Sequence, residues 1–130
     1  MSILRRIRVK TPEEIERMRE AGSVVALILS ELERVVKPGV TTKFLEKCAV
    51  DIATSFGVRL AFMGYRGFPA HICVSVNEEV VHGIPSEKRV LREGDIVSVD
   101  VGVEARGYFA DGAVTYPVGR VAENAERLIR

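Results

Sequence analysis

Asp100 and Asp111 are the residues with the most chemistry to offer in this sequence. Each lies in a stretch that alternates like a β-strand, Ile96–Glu104 and Tyr108–Val118, and the segment between them is short enough to be a hairpin turn. The odd positions of the first strand are Val97, Val99, Val101 and Val103; the even positions of the second include Tyr108, Ala110, Val114 and Tyr116. Burying these two sets together requires paired residue numbers with an odd sum. A two-residue loop at Ala105-Arg106 predicts that Val103 pairs with Tyr108 and Asp100 with Asp111, and a four-residue loop gives the same register. A three-residue loop with Gly107 as a bulge sends the carboxylates to opposite faces, which the apolar pattern disfavours. Directly opposed carboxylates sit with Cβ atoms about 5 Å apart and repel. Protonating one of them, or placing a cation between them, removes the conflict. Oxygen donors of this kind suit divalent metals, including paired ions about 3.5–4 Å apart. The competing reading is two solvated aspartates on an exposed face.

His82 is the second candidate. A turn at Asn77-Glu78 would join Ile72–Val76 to a returning strand, Val80–Ile84, and pair Cys73 with His82 on the face that carries Ser75. Gly83-Ile84-Pro85 follows His82 as a rigid exit that would hold the direction of its ring.

Two helices must carry these strands. Thr11-Pro12-Glu13-Glu14 reads as a capping box with proline at the first helical position. Ile15, Met18, Ala21, Val25, Ile28, Leu29, Leu32 and Val36 then recur at helical spacing until Lys37-Pro38-Gly39. Thr41 or Thr42 caps a second helix with Phe44, Leu45, Cys48, Ala49, Ile52, Ala53 and Phe56 on its apolar face, and Gly57 ends it. From Val121 a third helical pattern runs for about two turns to Arg130.

Composition narrows the function classes. The 130 residues suit one domain, 1–130, and 47% hydrophobic with 28% charged residues is a globular mixture. Nineteen Lys and Arg against eighteen Asp and Glu leave a net charge of +1, so nucleic acid is not expected as a partner. Arg5, Arg6 and Arg8 form the one basic cluster and read as a solvated strand end. No apolar run reaches the ~18 residues of a membrane span, and MSILRRIRVK lacks the features of a signal peptide. Cys48 and Cys73 fall in apolar patterns that suit reduced, buried thiols, and a cytoplasmic location is expected.

Several ordered motifs together carry a family resemblance: Gly64-Tyr65-Arg66-Gly67-Phe68-Pro69, Ile72-Cys73-Val74-Ser75-Val76-Asn77-Glu78, Val81-His82-Gly83-Ile84-Pro85, Gly94-Asp95-Ile96-Val97-Ser98-Val99-Asp100-Val101-Gly102 and Gly107-Tyr108-Phe109-Ala110-Asp111. They closely resemble the N-terminal half of type I methionine aminopeptidases, over nearly the whole chain from Lys10 onward. The resemblance implies an α+β fold: half of a pita-bread domain, with an antiparallel sheet of two hairpins covered by two helices, and a truncated C-terminal helix. It implies removal of N-terminal methionine from peptides. Asp100 and Asp111 then match two of five ligands to a dinuclear centre of Co, Mn, Fe or Zn, and His82 matches a substrate-contacting catalytic histidine. Phe62, Tyr65, Phe68 and Cys73 match the lining of the methionine side-chain pocket.

Arg66 and Phe109-Ala110 depart from the family's usual His and His-Gly at those places. The family's remaining ligands, one His and two Glu, and its second catalytic His belong to the C-terminal half, whereas this sequence contains two histidines, His71 and His82. Weak or absent metal binding and feeble activity are therefore expected of the chain alone. It is expected to pair with itself as a homodimer or with a separate C-terminal half; the alternative is a non-enzymatic pita-bread-like binding module.

Overall fold

The computed structural model describes residues 7–130 and has helices on one face of a four-stranded antiparallel sheet. The elements are α1 (Pro12–Val35), α2 (Thr42–Ser55), β1 (Arg59–Leu60), β2 (Cys73–Val76), β3 (Ile96–Ala105), β4 (Tyr108–Pro117) and α3 (Glu123–Ile129). Arg5 and Arg6 lie outside the described residues; Arg8 pairs with Glu14.

α1 begins with the anticipated capping box. Thr11 Oγ1 accepts from Glu14 N at 3.2 Å, and Glu14 Oε2 accepts from Thr11 N at 2.9 Å. The helix buries Ala21, Val24, Val25, Ile28, Leu29 and Leu32, while Ile15 and Met18 in its first turns stay largely exposed. In α2 a narrower stripe than expected is buried: Leu45, Ala49 and Ala53 face inward, and Phe44 and Phe56 face out. Thr41 is the cap, accepting from Phe44 N at 3.1 Å.

β3 is the central strand. It pairs with β4 along one side and with β1 and β2 along the other, so β4 is an edge strand. Val97, Val99, Val101 and Val103 are fully buried against α1, as their alternation predicts. Tyr116 on β4 joins them and donates from its hydroxyl to the Leu29 carbonyl at 2.5 Å.

The β3–β4 register differs from the expected one. Ala105 pairs with Tyr108, so the two-residue loop is Arg106-Gly107 and not Ala105-Arg106. A tight hairpin turn that follows the strand twist needs positive φ at both loop positions. Arg106 (φ 52°) and Gly107 (φ 80°) supply it, and glycine does so at no steric cost. The slip is two residues, so the faces are preserved. Asp100 now opposes Ala113, and Asp111 opposes Gly102.

The expected first hairpin does not form. Asn77-Glu78 does turn the chain, and Val76 N donates to the Glu79 side chain at 3.1 Å. Val80–Ile84, however, is not a strand: β2 pairs with β3 instead, Cys73 opposite Asp100 and Ser75 opposite Ser98. The segment runs beside β2 as a strap, held where Val74 N donates to the Gly83 carbonyl at 2.9 Å and Gly83 N donates to Ser75 Oγ at 3.0 Å. A left-handed backbone at His82 (φ 59°) prevents the extended repeat a strand requires.

Candidate metal and peptide site

The face of the sheet away from α1 carries Cys73 and Ser75 from β2, Ser98, Asp100 and Gly102 from β3, and Asp111 and Thr115 from β4. Asp100 and Asp111 are diagonal neighbours on this face, a relation in which Cα atoms are about 7–8 Å apart. That spacing is wider than direct opposition and leaves room between the carboxylates.

Phe62 occupies the gap above Gly102. A Cβ at residue 102 would lie 2.5 Å from Phe62 Cε1, so glycine is what lets the ring seat on β3. A glycine inside an alternating strand was the available signal for that seat. The loop from Gly64 to Pro69 forms the next wall, with Tyr65 exposed and Phe68 half-buried. His82 meets this loop, its ring 6.5 Å from that of Phe68 in an edge-on arrangement.

These pieces enclose an open cavity of about 620 Å³. Phe62, Tyr65, Phe68, Cys73, His82, Asp100 and Asp111 all line it, so every site residue expected from the sequence faces one space. Arg66, Gly67 and Pro69 line it as well. His82 arrives on the strap and not on a paired strand, with Gly83 as the point of attachment. Phe109 is more than half exposed and is not part of the lining.

Burial raises the Asp100 carboxyl above its ordinary value; the nearby Asp111 carboxylate adds to the rise, and His82 opposes it. Asp100 Oδ1 is buried and is the side-chain atom without a hydrogen-bond partner among the described residues. The Cys73 thiol, opposite Asp100, is pushed up to about 11 by burial and by that carboxylate, which leaves it protonated and inert. Both cysteines are free.

An orphaned buried carboxylate oxygen beside a second carboxylate fits a hard divalent cation as far as it goes. Among the described residues, no three His, Cys, Asp or Glu side chains gather to complete such a site. The cavity floor thus offers two oxygen-donor side chains and needs others to close a coordination sphere.

No helix among the described residues is long and apolar enough to cross a membrane. The chain is 50% identical over 122 residues to methionine aminopeptidase from Clostridium acetobutylicum and 49% identical over 120 residues to methionine aminopeptidase 1 from Bacillus subtilis. These alignments take in 94% and 92% of the chain but 49% and 48% of the relatives, so the chain spans about half the length of the curated relatives it matches. The crystal structure of methionine aminopeptidase from Thermotoga maritima superposes with a TM-score of 0.93 at 49% identity, over 95% of this chain and 50% of that one. An Xaa-Pro dipeptidase from Bacillus anthracis, 23% identical with a TM-score of 0.75 over 92% of this chain and 32% of that one, shares the fold. The fold is the half of a pita-bread domain that the motifs implied. Residues 16–130 match metallopeptidase family M24, and the chain belongs to that family.

Proposed function

We propose that this chain supplies one half of a methionyl aminopeptidase site. Asp100 and Asp111 contribute carboxylate oxygens to a dinuclear divalent centre (Co, Mn, Fe or Zn), and His82 contacts the peptide beside the scissile bond. Phe62, Tyr65, Phe68 and Cys73 receive the side chain of the N-terminal residue. An apolar, sulfur-tolerant lining suits an unbranched thioether. When bound, a divalent ion supplies Lewis acidity toward the peptide carbonyl. The chain's own residues supply the surroundings: the aromatic walls exclude water, and His82 is held within reach by the Gly83 strap. The observation that carries this reading is the convergence of all seven side chains on one cavity whose floor holds an orphaned carboxylate oxygen.

The two-carboxylate floor and the unpaired edge of β4 support a second part of the proposal. Another polypeptide surface closes over that edge, either a second copy of this chain or the half of the domain that this chain does not span. Alone, the chain binds metal weakly and hydrolyses peptides feebly at most. A cytosolic setting is proposed on the two unpaired thiols.

The test is a thermal melt with and without Mn²⁺, joined to solution mass. Mn²⁺ is expected to raise the melting temperature of the natural chain but not of Asp111→Asn. A mass above 14.4 kDa that grows with Mn²⁺ is expected if the chain pairs with itself. An equal Mn²⁺ shift in both proteins would place the ion elsewhere and sink the metal assignment.

A further inference from the structure

We infer that Arg66 makes the rim of the cavity a carboxylate-binding subsite, selecting peptides that carry an acidic group within two residues of their N-terminal residue. The inference rests on the peptide-binding reading above and deepens it. Arg66 is the one Lys or Arg in the cavity lining, which it shares with Asp100 and Asp111. Among the described residues its guanidinium enters no ion pair and no hydrogen bond; its contact is with the Tyr65 ring, 5.4 Å from the ring centre. It therefore offers a flat fork of donors that no group of the protein uses, a geometry that matches a carboxylate bidentately.

The backbone points the same way. Arg66 has φ 50° and ψ 35°, the left-handed region that side chains with a Cβ disfavour. It stands between Gly64 (φ 78°) and Gly67 (φ 79°), where glycine meets the same requirement without strain. Glycine at 66 would also relieve that strain, and the arginine bears it with its side chain at the cavity wall. Left-handed residues of this kind cluster at ligand sites as well as at turns, where Arg106 (φ 52°) takes the same conformation. A peptide whose first residue occupies the cavity leaves it past the rim, so the groups that Arg66 meets belong to the residues that follow the first. The lining thus carries both signs, two carboxylates at Asp100 and Asp111 and one guanidinium at Arg66.

The experiment is isothermal titration of the 130-residue chain with Met-Asp-amide, Met-Asn-amide, Met-Ala with a free C-terminus and Met-Ala-amide. At low salt the acidic member of a pair is expected to bind about two- to fivefold more tightly than its neutral partner, because an exposed charge pair has that strength. The ratio should fall toward one at ~1 M salt. A preference within the Met-Asp/Met-Asn pair assigns the carboxylate to a side chain, and one within the Met-Ala pair alone assigns it to the peptide terminus. Arg66→Asn, which tolerates the left-handed backbone, should abolish the ratio without lowering the melting temperature, and Arg66→Lys should retain part of it. Ratios of one in the natural chain, or a ratio that survives Arg66→Asn, overturn the inference while the peptide-binding reading stands. If Met-Asn-amide and Met-Ala-amide also fail to bind, both fall together.

Discussion

Replacing Gly83 by alanine tests whether the strap that carries His82 is positioned by backbone contact with β2. A Cβ on residue 83 would lie 2.1 Å from the Val74 carbonyl oxygen, 2.7 Å from its carbonyl carbon and 2.9 Å from Ser75 Cα. All three are backbone atoms of a strand paired with the central strand, so the neighbour cannot yield by turning a side chain. Two outcomes compete. If the strap stays attached, the protein carries an overpacking cost of about 1–3 kcal/mol or more. If the strap lifts, it loses two hydrogen bonds, Val74 N to Gly83 O and Gly83 N to Ser75 Oγ, the second of them buried. Leaving the partners of both without replacement costs about 1–3 kcal/mol each. The cheaper route wins, so the loss should be about 1–3 kcal/mol. For a chain of this size that is a fall in melting temperature of about 4–11 °C. Thermal unfolding by circular dichroism gives the first number. The His82 imidazole resonances give the second, since a lifted strap moves that ring away from the edge of Phe68. A melting temperature within 1–2 °C of the natural chain, with His82 resonances unmoved, would refute the close-approach argument.

Gly22 provides the opposite case: it lies inside α1, and a Cβ there would meet Ala110 Cβ at an ordinary 3.9 Å. Gly22→Ala should therefore stabilise by about 0.5–1 kcal/mol, read as a higher urea midpoint at unchanged slope. Asp100→Asn tests the electrostatics of the floor. Because the folded chain holds the Asp100 carboxyl above its ordinary value, the ionised form is disfavoured on folding, and that cost disappears as pH falls through the raised value. The variant should be the more stable protein at pH 7, by about 0.5 kcal/mol for a diagonal like-charge pair, and the two should converge once the pH is below 3.8. Glu14 and Glu46 run the other way: their carboxyls are held low, so the stability they lend is lost on acidification in both proteins and cancels in the difference. A natural chain more stable than Asp100→Asn at pH 7 would contradict the unpaired-carboxylate reading.

The helices and the central hairpin were legible because their signals are local. Thr11 and Glu14 cap each other within one turn, and four alternating valines can only face a core. The parity of the hairpin was equally secure, since a shift by one residue would expose every valine. The register within that parity was not, because the pattern repeats every two residues. What separates the alternatives is turn chemistry: Arg106-Gly107 places glycine at the second left-handed position, and Ala105-Arg106 would not. Val80–Ile84 misled for a different reason. Val80 and Val81 stand side by side with nothing to bury them, at 84% and 66% exposure, and the segment's β character came from composition without a paired neighbour. Strand propensity of this kind is a statement about fit to a sheet, and the segment meets β2 through Val74 N to Gly83 O and Gly83 N to Ser75 Oγ without extending a ladder.

These two errors leave the site intact because each preserved a face and changed only a distance along it. Moving Asp111 by two residues keeps it on the side of Asp100 while opening the gap over Gly102 that Phe62 fills. Replacing the first hairpin with a strap keeps His82 at the cavity but hands its position to one glycine contact in place of a ladder of hydrogen bonds. The chemistry is then divided by rigidity. The carboxylates sit on paired strands, where their separation is set by the sheet, whereas His82 and Arg66 sit on connections with left-handed backbones, where a peptide can be accommodated by small adjustments. For the proposed metal site, fixed oxygens on the floor are what an ion requires. For the proposed peptide walls a few points of attachment suffice, and Gly83 is the one that holds His82.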